Sequence, residues 1–248
     1  MRKVILGFTG LIVFIALWEA AARSGLLSSR LVPLPSDIPA TLIAEIRRGM
    51  WQRMVIASLR HYGLGLGIGT GLGIVLGTAV ALSPTLNDAQ AYLVRVLRPI
   101  PPLAWIPFAI IWFGITETSA AFIISIGVFW INYFATSGAI RSVDRDLIEV
   151  ARVFGHGRFV DRLRKVLMPA ALPGILVGVR TGIGQGWMTV VAAELFGIQG
   201  IGQRMMEASG LLAIDVVAVY MVTIALLYGL TDIIFVTFER MVLKWTEL

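Results

Sequence analysis

Cysteine is missing from all 248 residues, which excludes a disulfide scaffold and a thiolate-ligated metal site. Charge is also scarce, at 15% of residues against about 25% in soluble domains. Hydrophobic residues reach 57%, above the roughly 45–50% of ordinary soluble proteins, and the mean hydropathy is +0.84. Together these values exclude a soluble globular domain and a disordered chain. A bilayer span needs about 20 apolar residues, so six spans fit this length and leave modest loops. One compact membrane domain over residues 1–248 is expected.

Lysine and histidine are nearly absent: Lys3, Lys165 and Lys244, with His61 and His156, are the complete set. None of the lysines follows a glycine, as the phosphate loop Gly-x-x-x-x-Gly-Lys-Ser/Thr requires, so the chain binds no ATP through that motif. The two histidines lie far apart in sequence, which argues against a metal cluster or a nucleophilic triad. Neither Gly-x-Gly-Asp nor His-Glu-x-x-His occurs, so a membrane-embedded enzyme has few candidate groups. A net charge of +6 invites a nucleic-acid reading, but that needs an exposed basic face, and no soluble segment is large enough to carry one. Lys and Arg collected on the cytoplasmic side account for the surplus.

What is abundant is apolar sequence in runs. The pattern predicts spans at about 4–22, 62–82, 92–115, 118–140, 170–195 and 216–238. Between the first two, Pro33, Pro35 and Pro39 forbid a regular helix, and Thr41 to Arg60 reads as one amphipathic helix. The second span carries glycine at every odd position from Gly63 to Gly73 and again at Gly77, two Gly-x-x-x-Gly stripes that let helices approach closely. Pro99, Pro101, Pro102 and Pro107 break the third, making it a candidate to line a pathway or else a kinked packing helix. A short turn around Glu117 makes spans three and four an antiparallel hairpin. With the N-terminus inside, thirteen Lys or Arg fall on the cytoplasmic side and seven outside, and Arg180 lies within span five.

Residues 141–168 are the longest charged stretch between spans, and the charge bias places them in the cytoplasm. Asp144 is suited to cap a helix whose apolar face is Leu147, Ile148, Ala151 and Phe154, ended by Gly155-His156-Gly157. A second amphipathic helix follows, with Phe159, Val160, Leu163, Val166 and Leu167 on its apolar face. Such a pair either offers a knob to a soluble partner or lies on its own bundle or on lipid headgroups. Arg180 sits near the bilayer centre, where an unpaired cation costs about 3 kcal/mol, so it needs a partner or water. Glu19, Asp215 and Asp232, in or near spans, keep an ion-driven secondary transporter in view.

The run Glu149-Val150-Ala151-Arg152-Val153-Phe154-Gly155, leading to Met168-Pro169-Ala170-Ala171-Leu172-Pro173-Gly174, resembles the Glu-Ala-Ala loop of binding-protein-dependent ABC importer permeases. The resemblance extends through Arg98 to Pro107, Ile111 to Gly114, Arg141 to Asp144 and Gly186 to Glu194, and covers the chain from Leu31 onward. Val150 replaces the first alanine of the motif, and Gly155 to Pro169 runs one residue longer than the family's pattern.

The resemblance implies an all-α, six-span type I permease acting in the bacterial inner membrane with both termini cytoplasmic. Its partners would be a second copy of itself, two ATP-binding subunits holding the ATP and Mg, a periplasmic or lipid-anchored substrate-binding protein, and membrane lipid. Nucleic acid is not among them, and no cofactor belongs to this chain. Glu149, Val150, Ala151, Arg152, Phe154 and Gly155 would form the coupling helix that enters the ATPase. Arg180, Trp187, Glu194, Pro101 and Pro102 are the candidate pathway residues. The branch it resembles serves nitrate, sulfonate, taurine and bicarbonate; the stretches Gly186 to Glu194 and Glu207 to Val217 lean towards taurine or another sulfonate. Nitrate, bicarbonate and a vitamin precursor stay open as substrates.

Overall fold

The computed structural model describes residues 2–24, 32–155 and 158–246, so His156 and Gly157 of the expected helix end lie outside the described residues. Every regular element among the described residues is helical. The first expected span coincides with the helix α1, Arg2–Arg23. A 3₁₀ turn, Pro35–Asp37, leads into α2, Ile38–Arg47, where Pro39 stands in the first turn and costs no intrahelical hydrogen bond. Gly49 then takes φ +68°, a left-handed conformation that ends the helix, and α3 runs from Met50 to Leu82. The expected single helix from Thr41 to Arg60 is therefore divided at Gly49. Its second half belongs to α3, which begins well before Tyr62.

The Ser83 hydroxyl accepts from the Leu86 N–H and starts α4, Pro84–Leu97. The prolines then bend the chain by 87° into Pro102–Phe113, made of a 3₁₀ turn and α5, Ile106–Phe113. Gly114, at φ +72°, ends α5. A capping box of Thr116 and Ser119 opens α6, Glu117–Arg141, so the expected hairpin is present.

Next comes α7, Arg145–Val153, capped by Asp144, whose carboxylate accepts from the Asp146 N–H. After Gly155 come α8, Phe159–Arg162, a π-helical turn, Leu163–Leu167, and α9, Met168–Glu194. These last three form one continuous helix of 36 residues. The second amphipathic helix thus flows into span five, and neither Pro169 nor Pro173 separates them. The π turn shifts the hydrogen-bond ladder by one residue, with Met168 N–H donating to Leu163 C=O. The π turn falls between Gly155 and Pro169. Two further α-helices follow, α10, Ile201–Gly210, which hydropathy leaves inside a loop, and α11, Ile214–Val242, before a 3₁₀ turn at Lys244–Thr246.

Among the described residues, α3, α6, Phe159–Glu194 and α11 are long and apolar enough to cross a membrane, and the bent pair formed by α4 with Pro102–Phe113 adds a fifth if it is one span. The sixth expected span is α1, whose side chains are described only in part.

The chain divides into two compact units, Met1–Ser58 with Gln199–Leu226 and Leu59–Ile198 with Leu227–Leu248. Within the first unit, the buried Glu45 of α2 receives two hydrogen bonds from Arg204 of α10, at 2.9 and 3.1 Å, and one from the Tyr220 hydroxyl at 3.0 Å. The Arg204 guanidinium holds the Glu45 carboxyl below its ordinary range, and Glu45 in turn raises Arg204. The Ile201 N–H, an orphan donor at the start of α10, donates to Ser58 at 2.9 Å.

Within the second unit the two glycine stripes of α3 have different fates. At Gly65, Gly69, Gly73 and Gly77 a Cβ would meet α6 at 2.5–2.7 Å, so α6 lies directly on that stripe. At Gly63, Gly67 and Gly71 a Cβ would meet open space. The core beyond them is closed by α6 and α9, where Ile123, Ile124, Val128, Val190 and Ala193 are buried.

Candidate functional site

The helix α7 carries the expected coupling residues. It is short and its apolar arc is broad, so its orientation is decided by what it packs against. Ala151 is buried and Ile148 half-buried, which turns them inward against the chain. Leu147, Val150, Val153 and Phe154 are exposed, the last two at 85% and 77%. The expected apolar face of Leu147, Ile148, Ala151 and Phe154 is thus split: its middle seats the helix, and Val150 and Val153 join the outward side. Glu149 and Arg152 are exposed on the flanks. Gly155 follows at φ +85°, the left-handed conformation expected of a glycine that ends a helix. An apolar stripe of this kind, presented on a capped and terminated helix, has the character of a docking element rather than a core element.

Trp187 and Glu194, both on α9, are buried and face α3. The Trp187 ring stacks on Tyr62 with centroids 4.4 Å apart and planes 20° from parallel, while its indole N–H donates to Thr231 at 3.2 Å. A Cβ on Gly186 would sit 2.9 Å from the Tyr62 ring, so the glycine makes this stacking possible. Glu194 Oε1 lies 2.9 Å from His61 Nδ1. His61 and Glu194 are distant in sequence, and no sequence signal joins them.

Of the two expected solutions, a partner or water, Arg180 has a partner. Its Nε and Nη2 donate to the two carboxylate oxygens of Asp232 on α11, at 2.8 and 3.0 Å, a two-point contact. Pro101 is extended and exposed ahead of the 3₁₀ turn, and Pro102 packs near Gly127 of α6, where a Cβ would lie 3.3 Å from the proline ring. The pathway candidates therefore occupy separate places: Trp187 and Glu194 in the α3–α9 seam, Arg180 on an exposed face of α9, and the prolines at the bend. Among the described residues no group of His, Cys, Asp and Glu is arranged to hold a metal ion.

Long apolar helices, one bent pair and an outward-facing hinged helix define a polytopic helical membrane protein. Residues 69–246 match the family described as the binding-protein-dependent transport system inner membrane component, and the chain belongs to that family. It is 36% identical to a protein of Escherichia coli described as an aliphatic sulfonates transport permease, over 93% of this chain and 88% of that one. It is 33% identical to the taurine transport system permease protein of the same organism, over 98% and 90% of the two chains. Among solved structures, the inward-facing MetNI methionine ABC transporter matches with a TM-score of 0.68 over 78% of this chain and 96% of that one. At 22% identity this last likeness concerns the fold alone.

Proposed function

We propose that the chain is the permease subunit of an ATP-driven, binding-protein-dependent importer, working as a pair of identical copies with two cytoplasmic ATP-binding subunits. The observation that carries the reading is the outward apolar side of α7, with Val153 and Phe154 almost fully exposed on a helix that Gly155 terminates. An ATP-binding subunit seated there transmits its closure around ATP to Phe159–Glu194, because α7 connects through Gly155 to the head of that continuous helix. ATP and Mg belong to the partner, and this chain supplies the helices that alternate between two packings.

The substrate class is a small organic sulfonate, taurine or another one, delivered by a separate binding protein. Support comes from the identity to sulfonate and taurine permeases over nearly the whole chain. The test is ATP hydrolysis and uptake by the purified chain, alone and reconstituted with its ATP-binding subunit and binding protein. Hydrolysis only with the partner, coupled to taurine or sulfonate uptake, is the expected result; hydrolysis by the chain alone contradicts it.

A further inference from the structure

Arg180 and Asp232 lie on two helices that each qualify as a membrane span, Phe159–Glu194 and Ile214–Val242. Asp232 is about 12 Å of helix rise before Arg240, well inside a hydrocarbon core of about 30 Å. Yet the two side chains remain 48% and 23% exposed. Arg180 cannot reach up to the headgroups, because both carboxylate oxygens of Asp232 clamp its guanidinium. A charge pair held at that depth is unfavourable against lipid and favourable against water.

The neighbouring residues point the same way. The exposed strip of α9 around Arg180 mixes Val177, Thr181 and Met188 with the half-exposed Gln185. The exposed strip of α11 formed by Leu230, Ile233, Ile234, Thr237 and Phe238 carries no charge, and its one hydroxyl, on Thr237, donates back to the Ile233 carbonyl at 2.8 Å. The Arg180–Asp232 pair and Gln185 therefore set the α9 strip apart from the uncharged outer strip of α11.

Building on the permease reading, we infer that the α9 strip carrying Arg180 and Thr181 lines a water-filled solute path. There the Arg180–Asp232 pair binds a small zwitterion, its sulfonate or carboxylate on the guanidinium and its ammonium on Asp232. A bare guanidinium would hold any anion. Paired with Asp232 it is neutral overall, and a simple anion that approaches it must also meet the carboxylate. Arg180 keeps N–H donors to spare, and Asp232 keeps lone pairs, side by side within the span of one small molecule. A solute with both charges satisfies both groups and is held weakly enough to leave, as passage requires.

Because the chain lacks cysteine, the test uses Thr181→Cys in the full-length protein in lipid nanodiscs, with Leu230→Cys as the lipid-facing control. A water-soluble methanethiosulfonate reagent should label Thr181→Cys about tenfold faster than Leu230→Cys. Millimolar taurine should slow that labelling about threefold and ethanesulfonate should not, and Asp232→Asn should abolish the difference. Should Asp232→Asn fail to assemble, Arg180→Lys, which keeps the charge without the two-point contact, should weaken taurine protection in the same way. Equal labelling at the two positions overturns the water-filled path. Equal protection by both solutes, or taurine protection that survives the tested substitution, overturns the zwitterion site. Labelling needs no ATP, so failure of ATP-driven uptake counts against the permease reading separately.

Discussion

His61 Nδ1 on α3 stands 2.9 Å from Glu194 Oε1 at the end of α9, with side chains 1% and 0% exposed. Removing one member of a buried, hydrogen-bonded pair leaves the other in a place water does not reach. His61→Ala is expected to destabilise the protein by about 3 kcal/mol, and Glu194→Gln, which keeps a hydrogen-bonding group, by about 1 kcal/mol. Thermal unfolding in detergent checks the order. Equal midpoints for His61→Ala and the native chain would show that the pair does not hold α3 to α9.

The unequal glycine stripes of α3 allow a comparison on one helix. An alanine at Gly69 would place its Cβ 2.6 Å from the Ser125 carbonyl oxygen, backbone that has no room to yield, whereas at Gly67 it meets open space. Gly69→Ala is expected to lower stability by about 1–3 kcal/mol. Gly67→Ala is expected to be neutral or to gain up to about 1 kcal/mol from helix propensity. Folded yield and unfolding midpoint separate the two.

Features governed by local chemistry were legible in the sequence. Glu117 between apolar runs marks the α5–α6 hairpin, Asp144 caps α7, and Gly155 ends it at φ +85°. Features decided by distant packing were not. The helix α7 carries a broad apolar arc opposite Glu149 and Arg152, and periodicity could not tell which part of that arc, Ile148 and Ala151, turns inward while Val150 and Val153 turn out. Pro169 reads as a break, yet the preceding π turn carries the helix past it. Arg180 and Asp232 are each conspicuous as charges within spans, but only the fold joins them. The helix α10 is short and sits in a polar stretch, and what anchors it, Arg204 on Glu45, is remote in sequence.

The Glu45 cluster makes stability depend on pH with a definite sign. Arg204 lowers the folded-state pKa of Glu45 below its ordinary carboxylate value. The stabilisation is therefore complete above that ordinary value, about 4.3, and is lost as pH falls through the lower folded value. The unfolding midpoint should drop on acidification below about pH 4.5, and Glu45→Gln should start lower at neutral pH and change less. A native-like acid profile in Glu45→Gln would remove the cluster as the cause.

Orientation is open to a direct experiment, since an introduced cysteine is the sole thiol. Ser142, beside α7, and Ser209, in α10, are both exposed. With α7 in the cytoplasm, an impermeant thiol reagent applied outside intact cells should label Ser209→Cys and spare Ser142→Cys. The reverse pattern would invert the topology.

Docking of a separate ATP-binding subunit on the outward side of α7 is measured directly by co-purification. Phe154 is 77% exposed and Val153 85%, so substituting either should leave the fold of this chain intact. Burying a phenylalanine ring at an interface contributes about 2 kcal/mol or more, so Phe154→Asp should weaken docking by roughly thirtyfold. Glu149→Lys, on the flank, and Gly155→Asp, which strains the left-handed turn, should also reduce docking. These variants are expected to insert and form pairs in normal amounts, no longer to bring down the ATP-binding subunit, and to lose ATP-driven uptake. Undiminished co-purification and full uptake with Phe154→Asp would contradict such docking.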